Sequence, residues 1–157
     1  MLICRHSEEG ALGLVLNRRG ELVVGDVAPE LAELTGEHAV IDTGGPVQPD
    51  ALLVLGEFED ASYAGMPVIG TVGLMGDGLQ ISDLVDVTRR ARAFAGYAGW
   101  GPGQLDMELA RDDWFVAPAG IDDIFDPDAD ELWRRVLARK GGHFALVARM
   151  PIDPSVN

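Results

Sequence analysis

The chain has 157 residues, 47% hydrophobic and 24% charged, with a formal net charge of −14. That length predicts a single domain over residues 1–157 that buries a full core without staples. The charge argues against direct binding of duplex DNA, since affinity for phosphates comes from Lys and Arg and residues 26–70 carry nine acids and neither base.

The acidic balance reads first as a solubilising surface, with an acidic patch for a basic partner as the sharper alternative. Cys4 lies in the apolar run Met1-Leu-Ile-Cys and reads as a core residue. No apolar stretch approaches the ~18 residues of a membrane span, so no membrane association is expected. Arg5, His6, Glu8 and Glu9 interrupt any signal-peptide core, so the cytoplasm is the expected compartment.

In chain order, Leu2–Arg5 is predicted as a buried strand, and Ser7-Glu-Glu-Gly10 as a turn. Ala11–Asn17 is a second strand. A short helix follows, capped by Asp26, with Val27, Leu31 and Leu34 at helical spacing and Gly36 as its stop. Pro29 fits its first turn. Val40–Asp42 is a strand running into Thr43-Gly-Gly-Pro46, and Ala51–Leu55 and Val68–Leu74 are apolar strands. Asp77-Gly78 is a hairpin dipeptide, with Leu79–Ile81 returning. Arg90–Tyr97 alternates long and small residues as a strand. Gln104–Arg111 is a helix with Leu105 and Leu109 on one face.

Trp114–Val116 is predicted as a strand and Asp122–Asp128 as an acidic loop. A helix at Asp130–Lys140 has Asp130 as cap, Leu132, Val136 and Leu137 inside, Arg139 and Lys140 in its last turn and Gly141 as stop. Phe144–Ala148 is a final strand. Many strands with few short helices predict an α+β fold with mixed or mostly antiparallel pairing.

Two glycine-rich corners stand out. Gly96–Leu105 reads Gly-Tyr-Ala-Gly-Trp-Gly-Pro-Gly-Gln-Leu, which cannot be the interior of a regular helix or strand. It reads as a structural corner, or as a ligand or partner surface on a helix start with Gln104 as donor; Asp106 and Glu108 in that helix disfavour an anion. Thr43-Gly44-Gly45-Pro46, followed by Gln48, is the second corner. Asn17-Arg18 ends a strand and suits a turn. The serines lie in no G-x-S-x-G word, and His6, His38 and His143 are scattered. Asp126, Asp128 and Asp130 have calcium-loop spacing, but Glu131 and Leu137 stand where such a loop needs Gly and Glu. No zinc spacing occurs, so no metal and no cofactor are expected.

The words GALGLVLNR at 10–18, GGPV at 44–47 and GYAGWGPGQL at 96–105 resemble the YqgE/AlgH family of bacterial proteins. The resemblance covers residues 2–150. It implies a bent, bifurcated sheet forming a pseudo-barrel flanked by a few short helices. Members are often labelled transcriptional regulators, and their molecular activity is unresolved. Two departures stand out: family members begin with a further strand before the one at Leu2, and insert a helix where Ser82–Thr88 is very short here.

The combined expectation is a non-catalytic domain acting through protein contacts or a small ligand. The candidate surface comprises Asn17, Arg18, Gly44, Gly45, Gln48, Trp100, Gly101, Gly103, Gln104 and Glu108. The alternative is a small-molecule enzyme with a pocket between the Gly44-Gly45 and Gly101-Gly103 corners. No helix-turn-helix with a basic recognition helix is present, so any effect on transcription would run through a partner. An unpaired edge at residues 2–5 predicts a homodimer or larger assembly through that strand or the adjacent sheet edge, with a covered edge and a monomer as the alternative.

Overall fold

A computed structural model describes residues 1–76 and 78–150. The fold is organised by one long strand, whose small residues let neighbouring chain approach on three sides. The strands are β1 (Leu2–Ser7), β2 (Gly10–Leu14), β3 (Asp42–Thr43), β4 (Val47–Phe58), β5 (Met66–Ile69), β6 (Val72–Leu74) and β7 (Thr88–Trp100). They form one sheet in the order β1-β2-β7-β4-β6-β5, with β3 branching off β7. All pairs are antiparallel except β3 with β7. β1 and β5, at opposite ends of that order, touch, so the sheet is nearly closed into a barrel. The fold is mixed α+β, flanked by short helices.

β7 explains the bifurcation. One of its edges pairs with β4 from Thr88 to Tyr97. The other pairs first with β3, at Phe94 and Ala95, and then with β2, from Ala98 to Trp100. β3 and β4 therefore lie on opposite edges of β7, and Gly44-Gly45-Pro46 carries the chain across its backbone. A Cβ on Gly45 would fall within the backbone of Tyr97, and one on Gly44 on the carbonyl of Gly96. Gly96 itself has φ +66° and faces the carbonyls of Gly45 and Val47. The crossing needs glycine on both chains, because only glycine permits such backbone approach.

Two ion pairs with buried carboxylates sit on the first half of β7. Asp42 is fully buried. Arg92 donates to its Oδ2 from Nε at 3.0 Å and from Nη2 at 2.6 Å. The same guanidinium donates to the carbonyls of Leu16 at 2.8 Å and Ile124 at 2.5 Å, and lies over the Phe94 ring. Arg19 approaches the other Asp42 oxygen at 3.5 Å. Two residues earlier on the same strand, Arg90 Nε donates to Glu57 at 2.6 Å, and the Arg90 guanidinium also reaches Asp122. Complete pairing is what makes a buried charge tolerable.

The helices differ in detail from the sequence reading. α1 (Val24–Val27) and α2 (Ala32–Thr35) are single turns joined by a 3-10 turn at Pro29–Leu31. Asp26 lies inside α1 and caps nothing; Pro29 starts the 3-10 turn and Gly36 ends α2 with φ +93°. α3 (Gln104–Ala110) buries Leu105. α4 (Ile121–Ile124) is a helical turn inside the predicted acidic loop. α5 (Ala129–Lys140) is the longest helix, with Leu132 and Leu137 buried and Val136 partly so. Its cap is Asp128, not Asp130: Asp128 Oδ1 accepts from Glu131 N. α6 (His143–Val147) replaces the predicted last strand. Its apolar Phe-Ala-Leu-Val run does not distinguish helix from strand, and docking on α5 decides it.

Three further predicted strands are corrected. Val68–Leu74 is a hairpin, not one strand, because Gly70, at φ +56°, turns the chain between β5 and β6. Leu79–Ile81 does not return as a strand; 3-10 turns occupy Ile81–Asp83 and Val85–Val87, and Asp77 of the predicted hairpin dipeptide lies outside the described residues. Trp114–Val116 is an exposed irregular segment, held by side chains rather than by a ladder. Leu2–Arg5 is buried on one face only: Leu2 and Cys4 point inward while Ile3 and Arg5 are exposed. Burial pushes the Cys4 thiol up to about 12, which keeps it protonated and unreactive.

Replacing Arg92 with Leu leaves Asp42 buried without its main partner. Chemical denaturation should show a loss of about 3–5 kcal/mol. A loss below about 1 kcal/mol would show that Arg19 or water compensates.

Candidate functional site

The sequence places Trp100 at the end of β7 and a positive-φ glycine, Gly103, before α3. The chain therefore turns back over β2. Gly13 leaves the space that the Trp100 ring fills, its would-be Cβ lying 3.2 Å from Cζ3. Gly10, at φ +127°, packs on the Trp100 carbonyl. Both glycines of the first motif thus meet the tryptophan of the third, and Gly13 also makes room for the Leu2 carbonyl, 2.9 Å from its would-be Cβ.

Around that corner, three side chains converge on Glu108 of α3. Trp100 Nε1 donates to its Oε2 at 2.9 Å, and Trp114 Nε1 to the same oxygen at 2.8 Å. Gln104 Nε2 donates to Oε1 at 2.9 Å, while Gln104 Oε1 accepts from Gly101 N at 3.1 Å. The two indoles meet edge to face with centroids 6.0 Å apart. The Trp114 indole, the Gln104 amide and the Trp100 indole, in that order, hold the Glu108 carboxyl below its ordinary value of 4.5. A carboxylate stabilised by donors in this way is an anchor, not a proton donor near neutral pH.

Beside this cluster lies an apolar cleft of about 400 Å³. Ile3, His6, Trp100, Leu105, Trp114 and Phe115 are among its walls, and among the described residues no hydroxyl, thiol or carboxylate lines it. His6 Nε2 stands 3.2 Å from Asp106 on the exposed side of α3. A smaller cavity of about 160 Å³ adjoins it, sharing Leu2, Phe115, Ala117 and Ala119, and reaches Asn17, Trp133 and Leu137. The segment from Trp114 to Ala119 runs between the two. Lys140 Nζ donates to the Val116 carbonyl at 2.5 Å, Arg139 donates to that of Pro118 at 3.3 Å, and Phe115 meets Phe144 edge to face. Phe115 and Val116 remain more than half exposed, at 56% and 60%.

The predicted site residues divide into separate groups. Trp100, Gly101, Gly103, Gln104 and Glu108 form one corner. Gly44 and Gly45 are buried in the β7 crossing, and neither they nor Gly101 and Gly103 are walls of the Trp100 cleft. Gln48 is exposed with φ +47°, at the irregular start of β4. Asn17 and Arg18 are exposed after β2, Asn17 on the smaller cavity and Arg18 accepting Thr43 N through its carbonyl. The sequence reading missed Trp114 and Phe115. Their signal in the sequence was a pair of adjacent aromatics. Asp126 and Asp128 serve Arg135 and the α5 cap. Among the described residues no group of three His, Cys, Asp or Glu side chains is placed to hold a metal, and no helix is long and apolar enough to cross a membrane.

A family model described as DUF179, AlgH-like, matches residues 1–145. A UPF0301 protein of Streptomyces coelicolor is 40% identical, over 100% of this chain and 84% of its own. One from Thermobifida fusca is 42% identical, over 96% and 81%. A crystal structure of a Corynebacterium diphtheriae protein superposes with a TM-score of 0.84 at 28% identity, covering 95% of this chain and 81% of that one. The solution structure of the AlgH protein from Pseudomonas aeruginosa gives 0.68 at 28%, covering 96% and 83%. The chain belongs to the AlgH-like family, whose molecular function is unresolved.

Glu108 links the corner to pH. Its carboxyl is depressed in the folded state, so its contribution to stability is present above about 4.5 and is lost as pH falls through the lower folded value. Tryptophan emission followed on acidification should report an indole transition below pH 4.5. In Glu108→Gln that transition should be absent. An identical titration in the variant would show that other carboxylates govern the indoles.

Proposed function

We propose that this AlgH-like domain is a non-catalytic binding module. It acts through protein contacts or a small apolar ligand at the Trp100 corner and the cleft beside it. The observation that carries this reading is the combination of an apolar cleft, exposed aromatic side chains on its rim and an acid already committed to three donors. Clefts that bind small molecules are mostly apolar with few polar groups, and an enzyme's acid or base shows a pKa tuned toward its working pH. Glu108 is shifted away from that range, which supports contact over catalysis. Any part in transcription would run through a partner, because a chain of net charge −14 repels phosphates.

The reading includes self-association along β1. This strand ends the sheet order, and Ile3 is 39% exposed. Its contact with β5 covers part of that edge.

Native mass spectrometry of gently purified protein tests both parts. The parent should carry a bound species that Phe115→Asp loses. Any dimer should disappear in Ile3→Pro. A bare chain in the parent would reject the ligand, and a dimer indifferent to the proline would move the interface elsewhere.

Duplex DNA offers a second measurement. Fluorescence anisotropy at physiological salt should show no binding. Micromolar affinity that weakens steeply with salt would overturn the charge argument.

A further inference from the structure

A second groove lies where the α1–α2 turns, β4 and the β5–β6 hairpin meet. Leu31, Leu52, Leu53, Met66 and Met75 line it, and its volume is about 410 Å³. It shares no residue with the Trp100 cleft. Leu52 is 38% exposed in the middle of a sheet strand. Methionine side chains adapt their shape to varied apolar partners, and two of them flank this floor.

The chain segment that builds the groove carries charge of one sign. Every residue lining it falls between Arg19 and Arg89, an interval with thirteen acids and no Lys or Arg. Asp42 and Glu57 are buried and used by Arg92 and Arg90. Glu30 and Glu33 bracket Leu31 in sequence, Asp50 precedes Leu52 on β4, and all three are exposed. Among the described residues none of the three makes an ion pair. An apolar floor whose lining residues have exposed, unneutralised acids next to them in the chain is complementary to an apolar segment flanked by cations.

We propose that this groove docks an amphipathic, Lys- or Arg-flanked segment of a partner protein. The same charge disfavours other occupants. Nucleic acid and anionic lipid are repelled. A second copy would bring another chain of net charge −14 against these acids. Much of this chain's own basic charge is already committed, Arg90, Arg92, Arg135 and Arg139 each to an internal carboxylate.

The test uses a labelled Leu/Lys peptide patterned as an amphipathic helix, a Ser/Lys peptide of equal charge and a Leu/Glu peptide. Anisotropy against the full chain should show the Leu/Lys peptide binding at least about tenfold tighter than either control. Leu52→Asp should weaken it by about tenfold or more. The triple exposed variant Glu30→Lys, Glu33→Lys, Asp50→Lys should weaken it similarly, and should do so most at low salt. Phe115→Asp should bind like the parent. Equal binding of the Leu/Lys and Ser/Lys peptides overturns the proposal, as does loss of binding in Phe115→Asp. A parent dimer that Leu52→Asp dissolves would assign the groove to a second copy. If circular dichroism shows that Leu52→Asp does not fold, the triple variant decides: unchanged affinity there rejects the site.

Discussion

The Asp42–Arg92 ion pair is the contact on which the other parts of the fold converge. Asp42 comes from β3, Arg92 from β7, and the carbonyls of Leu16 and Ile124 bring in the chain after β2 and the turn of α4. A buried carboxylate without such a partner would cost several kcal/mol. The pair therefore requires β3 to lie on the edge of β7 away from β4. Once β3 is there, the chain must cross β7 to begin β4. That crossing is possible only because Gly44, Gly45 and Gly96 carry no side chains. One electrostatic requirement and one steric permission thus specify the branch in the sheet.

The same strand ends in the Trp100 corner. β7 delivers Trp100 onto Gly13, Gly103 starts α3, and α3 returns Glu108 beneath both indoles. The three family words are therefore pieces of one packing arrangement rather than three parts of one pocket. Gly10 and Gly13 belong to the first, Gly44 and Gly45 to the second, and Gly96 and Trp100 to the third. Each glycine meets backbone or ring from another motif, which accounts for their density without invoking a phosphate cradle. The apolar cleft takes Trp100 and Leu105 from the third word and Trp114 and Phe115 from outside the words.

The periodic and glycine-bounded elements were legible in the sequence. Leu132 and Leu137 with bases before Gly141 identified α5, and alternation through Ala91, Ala93 and Ala95 identified β7. Failures fell where local pattern is degenerate. Phe144–Val147 suits either helix or strand, and only α5 selects helix. Trp114–Val116 has strand-like composition, yet its neighbours offer side-chain donors instead of a ladder. In the candidate site, Trp100, Gln104 and Glu108 could be named because they are close in sequence. Their meeting with Trp114 could not, since it depends on where α3 turns.

By itself the sequence determined the family, the α+β class, the acidic surface and the glycine corners, because composition, periodicity and backbone permissiveness are local properties of the chain. Only the tertiary structure decided which acids are buried, which edge of β7 each neighbour takes and which aromatics share one carboxylate. Those outcomes join residues as far apart as Asp42 and Arg92, and depend on the closure of the whole sheet around them.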